Sequence, residues 1–446
     1  MRFVDFLTLI LIFYNICLTS GIQYFGDDNF IPIFEWSQLE FEYDSAIERK
    51  HDIEDGFFVP GVPAIIDVDV YYSSNKTNRL FVTIPRFQYG SPATLGEVTF
   101  DIYRGNYIIR PYPSWSWHRN PTQCLWNRLI SVYRIQIDEC GRMWVLDTGR
   151  YGEHLICPPQ ILAFDLKTNK VIYRYEIPRD QYESRSIFVT PVVDVRESCQ
   201  DVFVYAADCQ TYAIIVYDVK RGESWQIIDK TMYPYPNFGT FDILGDSFDL
   251  MDGILGMALT PFVPGRDRKL FFHAMSSDTE NWVYTSDLRK QKSTPEIFHV
   301  YRGKRSSQSA AEAMDRNGIM YFGLMSDVTF NCWDTSTEYG SPNIEVVDNN
   351  RTTMQFVSGV KVIKNMNGGQ ELFIVTSRFQ KVATETITPT EINFRVLARR
   401  INKYLVERCR SSSSTSSGFH PVNVLGSSGG SYGLIPRPPK IGYRVK

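Results

Sequence analysis

Two carboxylates stand at positions where they could move a proton or hold a cation. Asp147 follows the hydrophobic segment 144–146 and Asp208 follows 205–207, so each closes a short run of strand-like composition. A carboxylate placed there can act as a general base. Capping the turn that follows the strand is the commoner role for such a residue. Both interpretations are retained for each aspartate.

The histidines and short motifs give no positive sign of catalysis. The six histidines occur at positions 51, 118, 154, 273, 299 and 420. None has the H-x-H or H-E-x-x-H spacing of a zinc site, and no C-x-x-C pair, G-x-S-x-G motif or phosphate-binding loop occurs. The sequence therefore predicts no metal and no cofactor, and it favours a binding protein over an enzyme.

The elements that position these residues are predicted to be β-strands. Short aromatic-rich segments of one kind begin at Leu80, Met143, Val202, Leu270, Met320 and Leu372. Their starts are 50 to 68 residues apart, and no long amphipathic helix separates them. A blade of four antiparallel strands takes about 40–50 residues with its turns. The repeat predicts an all-β, six-bladed β-propeller over residues 22–409, and its regularity argues against two β-sandwiches.

Composition agrees with a β-protein and excludes one class of partner. Tyr, Phe and Trp make up 14% of the 446 residues, and these side chains suit a pleated sheet. The formal net charge is -3. A dedicated nucleic-acid binder needs a basic excess to neutralise phosphates, so no nucleic-acid partner is expected.

The two ends of the chain differ in character from its centre. Residues 1–21 combine one arginine, a short apolar run and small residues at the end, which predicts a secretory signal peptide. No later segment is apolar enough to span a bilayer, so we expect a secreted, extracellular protein. Residues 410–446 are rich in Ser, Gly and Pro, carry basic but no acidic residues, and are predicted to be a disordered tail.

The expected secretion determines how the cysteines and two glycosylation sequons are interpreted. Of the 8 cysteines, Cys17 lies in the predicted signal peptide, so an odd number remains. Most should pair in an oxidising compartment, but the sequence alone does not fix which with which. Asn75 and Asn350 each begin an Asn-x-Thr sequon and are candidate glycosylation sites.

Several longer stretches resemble the insect Yellow/major royal jelly protein family. The most specific are residues 130–149 and 157–166, supported by 252–259, 332–334 and 356–362. The resemblance covers nearly the whole chain apart from the predicted signal peptide and the Ser-rich tail. It implies a six-bladed propeller, in agreement with the repeat.

The resemblance also has implications for the cysteines. It implies that Cys332 pairs with Cys409 and closes the ring. Four others also occupy family positions, with their pairing left open: Cys124, Cys140, Cys157 and Cys199. Cys209 departs from the family pattern and is the candidate for the unpaired thiol.

Salivary members of this family bind biogenic amines in the axial channel of the propeller. Carried over to this sequence, the ligand-binding residues are Ile130, Tyr133, Ser358, Ser377 and Phe379. The two aromatic rings would face an ammonium group or a catechol ring. Amine-binding members tend to carry Asn at position 377, so the Ser found here shortens the acceptor.

These observations lead to one functional hypothesis and two alternatives. We expect a protein that binds a small aromatic amine or catechol-type ligand and is associated with cuticle, extracellular matrix or melanin pigmentation. The first alternative is a dopachrome-converting isomerase, with Asp147 or Asp208 facing the channel to transfer a proton. The second is a structural or nutrient role like that of the royal jelly proteins.

Overall fold

The computed structural model describes residues 29–73, 78–290 and 295–411. The predicted signal peptide, the Asn75 sequon and residues 412–446 of the predicted tail lie outside these ranges. No helix within them is long and apolar enough to cross a membrane. Asn350 is exposed in the loop that follows the last strand of the fifth sheet.

The described residues form six sheets of a propeller. The first strand, β1 (Ile31–Trp36), belongs to the last blade. Blade 1 contains β2 (Glu40–Phe41), β3 (Asp67–Tyr71), β4 (Arg79–Thr83), β5 (Leu95–Tyr103) and β6 (Asn106–Pro111). Blade 2 contains β7 (Val132–Ile137) and β8 (Arg142–Asp147), then, after the small hairpin of β9 (Arg150–Tyr151) and β10 (His154–Leu155), β11 (Gln160–Asp165) and β12 (Lys170–Glu176).

The third and fourth blades follow the same plan. Blade 3 contains β13 (Phe188–Val195), β14 (Val202–Asp208), β15 (Ala213–Asp218) and β16 (Glu223–Ile228). A second hairpin, of β17 (Thr240–Ile243) and β18 (Asp246–Asp249), precedes blade 4. Blade 4 contains β19 (Ile254–Leu259), β20 (Lys269–Ala274), β21 (Asn281–Tyr284) and β22 (His299–Val300).

The last two blades complete the ring. Blade 5 contains β23 (Glu312–Met314), β24 (Ile319–Leu324), β25 (Thr329–Asp334) and β26 (Ile344–Asp348). Blade 6 contains β27 (Val357–Lys364), β28 (Gln370–Ser377) and β29 (Phe394–Ile401), with β1 as its outer strand.

Helical segments are short and lie between strands. The α-helices are α1 (Ala46–Glu54), α2 (Thr285–Leu288), α3 (Phe379–Ala383) and α4 (Lys403–Ser411). Single 3₁₀ turns cover Trp115–Trp117, Arg179–Gln181, Lys230–Met232, Pro236–Phe238, Pro295–Ile297 and Ser341–Asn343.

The prediction of a six-bladed β-propeller is confirmed, and the reason lies in the six recurring segments. Each corresponds to the second strand of a blade: β4, β8, β14, β20, β24 or β28. Every residue of β8 and β24 is buried, because each blade is covered on both faces by its neighbours. Strands buried on both faces read as continuous apolar runs rather than alternating ones.

Two features close the ring. The outer strand β1 pairs antiparallel with β29, so the N-terminal segment completes the last blade. Helix α4 then packs on blade 5, where Cys409 is bonded to Cys332 of β25 with a Cα–Cα distance of 5.8 Å. The structure joins Cys124 to Cys157 and Cys140 to Cys199, and it leaves Cys209 as a buried free thiol.

Replacing Cys332 by Ser is expected to destabilise the ring. The bridge joins residues 77 positions apart. Chain-entropy reasoning assigns a loop of that length about 4–5 kcal/mol of unfolding free energy. Thermal and urea unfolding of Cys332→Ser, compared with the double variant that also removes Cys409, measures this. An unfolding free energy equal to that of the wild type would contradict the stabilising role.

Candidate functional site

The six innermost strands surround the propeller axis and run in one direction along it. They are β3, β7, β13, β19, β23 and β27, and each contacts the next around the ring. The end of the axis where these strands begin is called the N-terminal mouth, and the end where they finish is called the C-terminal mouth. The two mouths have different chemistry.

The C-terminal mouth opens into a polar cavity of about 680 Å³. Charged side chains from several blades line it, among them Asp67, Asp69, Glu312 and Lys361. Lys361 Nζ lies 3.0 Å from Asp67 Oδ2, so part of this charge is already paired. Burial raises the pKa of Asp69 to about 7, although the nearby Lys361 opposes the shift. This cavity suits small polar species better than a planar aromatic ring.

Arg134 of β7 separates the two mouths. Its guanidinium donates hydrogen bonds to the Thr190 hydroxyl at 2.7 Å and to the Leu255 carbonyl at 3.1 Å. It also donates to the carbonyls of Ala310 at 3.1 Å and Ser358 at 2.7 Å. These acceptors belong to blades 3 and 4, to the segment leading into blade 5, and to blade 6, so one buried side chain links most of the ring across its axis.

Five aromatic side chains meet at the N-terminal mouth. Phe379, at the start of α3, stacks on Phe356 with ring centroids 4.5 Å apart and approaches Phe248 of β18 at 6.0 Å. Phe87, just after β4, lies 5.7 Å from Phe379 and 5.4 Å from Tyr133 of β7. These five residues are called the aromatic cluster. All except Phe356 are partly exposed as residues.

The structure brings together some of the predicted ligand residues and not others. Tyr133 and Phe379 both belong to the aromatic cluster, with Phe87 between them. Ile130 is fully buried and packs against Tyr151 and Cys157, so it supports the mouth from behind rather than forming its wall.

The two predicted serines lie in blade 6 near the same mouth. Ser358 is the second residue of β27 and Ser377 is the last of β28. Both are buried, and within the described ranges neither hydroxyl has a hydrogen-bond partner. Two unpaired hydroxyls close to the aromatic cluster are therefore available to a polar group of a ligand.

Asp147 and Asp208 act as turn caps. Asp147 accepts hydrogen bonds from the backbone N–H groups of Ile130, Ser131 and Gly149 and from the Gln160 side chain. Asp208 accepts from backbone N–H groups of residues 187, 210 and 211 and from the Thr211 hydroxyl. Both side chains are fully buried. Their occupied oxygens leave no place for proton exchange with a ligand, so the turn-capping interpretation is the one the geometry favours.

A different carboxylate, Asp252, lies beside the aromatic cluster and was missed from the sequence. It stands between β18 and β19, and the Gly253 N–H donates to the Cys209 carbonyl at 2.8 Å, which holds Asp252 against the loop after β14. The Gln210 amide and the Cys209 thiol donate to the Asp252 carboxylate. Burial nevertheless raises the pKa of Asp252 to about 6.

Asp252 is electrostatically coupled to the aromatic cluster through Tyr133. Burial is the main cause that raises the pKa of the Tyr133 phenol, and the neighbouring Cys209 and Asp252 raise it further. Burial also raises the pKa of the Cys209 thiol, which therefore stays protonated. The mouth thus combines a neutral phenol, a neutral thiol and a carboxyl group that changes protonation near neutral pH.

Comparison with known proteins agrees with this architecture. The sequence profile of the family described as "Major royal jelly protein" matches residues 130–409. The chain is 33% identical over 415 residues to "Major royal jelly protein 9" of Apis mellifera, covering 89% of this chain and 94% of that protein. The chain belongs to the Yellow/major royal jelly protein family.

Other members of the Yellow/major royal jelly protein family carry names of different kinds. "Dopaminechrome tautomerase" of Drosophila melanogaster is 32% identical over 387 residues, which are 84% of this chain and 82% of that protein. "Protein yellow" of Drosophila subobscura is 30% identical over 375 residues, which are 81% of this chain and 64% of that protein. One of these relatives is named for a reaction, so the site must be judged by its own geometry.

Proposed function

We propose that this protein is secreted and that its N-terminal mouth binds a catecholamine-derived aminochrome and tautomerises it. The observation that carries the proposal is that Asp252, held by Gln210 and Cys209, acts electrostatically on Tyr133 of the aromatic cluster, while burial raises the pKa of Asp252 to about 6. A binding site alone needs aromatic faces and hydrogen-bonding groups. A tautomerase also needs a group that can take up and release a proton near neutral pH.

The aromatic cluster supports binding of a planar ring. Phe379 is stacked on Phe356 and is partly exposed, so a flat ligand can stack on the exposed part of the Phe379 ring. The Ser358 and Ser377 hydroxyls supply polar partners for quinone or catechol oxygens. The ammonium group of dopamine, which has not yet cyclised, would find the faces of Tyr133 and Phe87 for a cation–π contact.

The chemistry balances without a cofactor or an oxidant. An aminochrome carries a quinone fused to a saturated ring. Its conversion to the dihydroxyindole breaks two C–H bonds, one at each saturated carbon, and forms an O–H bond at each quinone oxygen, so it consists of two successive proton transfers from carbon to oxygen. Asp252 in its ionised form accepts the proton from carbon, and the carbonyl oxygen receives a proton in return. No electron is exchanged with a second molecule, because the quinone is reduced as the saturated ring is oxidised.

The relatives and the predicted leader add support at a coarser level. One relative bears the name dopaminechrome tautomerase, and its similarity covers most of both chains. The N-terminal 21 residues have the pattern of a secretory signal peptide. The resemblance to Yellow proteins adds an association with cuticle or melanin pigmentation, a setting in which aminochromes arise from catecholamines.

Alanine variants of the aromatic cluster test the binding part of the proposal. Tyr133→Ala and Phe379→Ala are each expected to weaken dopamine binding by about 1–2 kcal/mol, which is roughly 5- to 30-fold in Kd. Isothermal titration calorimetry measures this, with Phe100→Ala as a matched control because Phe100 is 63% exposed on blade 1. Equal dopamine affinities of all three variants and wild type would show that dopamine does not bind at this mouth. Absence of both binding and turnover would instead favour the structural or nutrient role.

A further inference from the structure

Three metal-ligand-type side chains meet between blades 4 and 5, away from the aromatic cluster. His273 lies on β20, Glu280 immediately precedes β21, and Glu312 begins β23. His273 Nδ1 is 3.0 Å from Glu280 Oε2 and 3.3 Å from Glu312 Oε2. The exposed fractions of the three residues are 1%, 2% and 6%. They come from three separate segments, which is why the spacing of histidines in the sequence predicts no metal site.

The hydrogen bonding of His273 prepares its other nitrogen as a ligand. Nε2 faces the Ser309 carbonyl at 3.2 Å, and because a carbonyl only accepts, Nε2 carries the proton. In the neutral ring the lone pair of Nδ1 then points at the two carboxylates. Metal-bound histidines are typically held in this way, with the second nitrogen donating to a backbone carbonyl.

Gly256 allows this placement of the ring. It is paired with His273 across β19 and β20, and a Cβ at Gly256 would lie 2.3 Å from Nε2.

The carboxylate oxygens are the second, independent observation. Glu280 Oε1 and both oxygens of Glu312 are buried without a hydrogen-bond donor in the described part of the chain. Buried charged oxygens are costly unless they are paired or coordinate a cation. A protonated His273 has one Nδ1–H and so can satisfy only one oxygen, whereas a divalent ion could contact both carboxylates and the imidazole at once.

Two arginines face the cluster and oppose cation binding. The Arg305 guanidinium is 3.7 Å from Glu280 Oε2, but it donates its hydrogen bonds to four loop carbonyls, those of Ala274, Ser277, Thr279 and Ser307. Arg305 therefore serves mainly to fold the loop that carries Glu280. The charge of Arg134 acts on Glu312, but the guanidinium of Arg134 donates its hydrogen bonds to the acceptors across the axis described above.

Glu312 also gives the cluster a route to solvent. It is one of the residues that line the 680 Å³ cavity at the C-terminal mouth. An ion can enter there, and a water molecule in the cavity can complete its coordination. One imidazole and two carboxylates give three protein ligands of types that zinc accepts, and three is the number that zinc keeps beside an open position in catalytic sites.

We propose that His273, Glu280 and Glu312 form a binding site for a divalent transition-metal ion of the zinc class. The ion joins blade 4 to blade 5 and faces the cavity at the C-terminal mouth. The site is separate from the N-terminal mouth, so this proposal does not depend on the tautomerase proposal.

Zinc binding by the full-length protein tests the site. Chelator-treated protein is dialysed against Zn²⁺, and the bound metal is measured by mass spectrometry of the element. We expect one tightly bound ion per chain, with affinity lowered roughly 100-fold or more in Glu312→Gln and Glu280→Gln. Glu345→Gln is the matched control, because Glu345 is a blade 5 carboxylate that pairs with Arg408 instead. Zn²⁺ should raise the melting temperature of wild type and of this control only.

A second measurement uses only the wild-type protein, so it remains informative even if the variants misfold. Its X-ray absorption spectrum with one equivalent of zinc should show nitrogen and oxygen ligands at about 2.0–2.2 Å and no sulfur. Wild type that takes up no tight zinc would overturn the proposal and leave a cluster that shares protons. Tight binding that survives both glutamate substitutions, or a spectrum with sulfur, would overturn it as well.

Discussion

Asp252→Asn is expected to lower the rate of aminochrome tautomerisation by about 100-fold or more, the usual contribution of a general base. Asparagine keeps the shape of the side chain and the contact with Gln210, but it cannot accept a proton from carbon. Dopamine affinity should stay close to that of wild type, because the aromatic cluster is untouched. Steady-state turnover of dopaminechrome, combined with dopamine titration, measures both quantities.

The role of Asp252 also predicts the direction in which kcat/KM changes with pH. The base must be ionised, so the kcat/KM of wild type should rise with pH through the pKa of Asp252, which is about 6. Because this pKa is raised above that of an unfolded aspartate, ionisation of Asp252 works against folding as the pH rises between those two values. Asp252→Asn should therefore not lower the melting temperature at neutral pH, which separates lost catalysis from lost structure.

Asp249→Asn is the control for this experiment. Asp249 is exposed on β18 and accepts a hydrogen bond from the Thr240 hydroxyl at 2.7 Å, which asparagine can also accept. Its turnover should equal that of wild type. If Asp252→Asn turns over dopaminechrome within a fewfold of the wild-type rate, Asp252 is not the general base.

Arg134→Met is expected to lower the unfolding free energy by about 3–5 kcal/mol, as for other broken buried charge networks. Methionine fills much of the same volume but removes the arginine donor of the Ala310 and Ser358 carbonyls, and it leaves the Leu255 carbonyl with only the Thr190 hydroxyl as donor. Blades that are far apart in sequence lose their shared contact at the axis. Urea unfolding monitored by tryptophan fluorescence measures the loss.

An exposed arginine provides the comparison for Arg134→Met. Arg221 lies 3.5 Å from Asp218, and its side chain is 62% exposed. Surface pairs of this kind contribute at most about 1 kcal/mol, so Arg221→Met should hardly change the unfolding free energy. Similar free energies for the two variants would mean that Arg134 fills the channel without holding the blades together.

The fold could be predicted because its signal is local. Each second strand is buried on both faces, so continuous apolar segments such as residues 143–146 and 320–322 recur once per blade. The role of Phe34 and Trp36 in closing the last blade could not be derived from the repeat. It depends on a strand more than 300 positions away along the chain.

The site could be predicted only in part, because it is assembled by ring closure. The resemblance pointed to Tyr133 and Phe379, and both lie in the aromatic cluster. Asp252 lies in one of the stretches that carry the resemblance, but no spacing in the sequence relates it to Tyr133. Asp147 and Asp208 looked more promising because they end strands, yet backbone N–H groups occupy their oxygens.

The most direct test is the conversion of dopaminechrome by the purified wild-type protein, followed as kcat/KM between about pH 5 and pH 8. We expect saturable conversion to the dihydroxyindole, without added metal or cofactor, and a rate that rises with pH through about 6. A rate equal to that of buffer alone at every pH would contradict this expectation and leave the mouth as a binding site only.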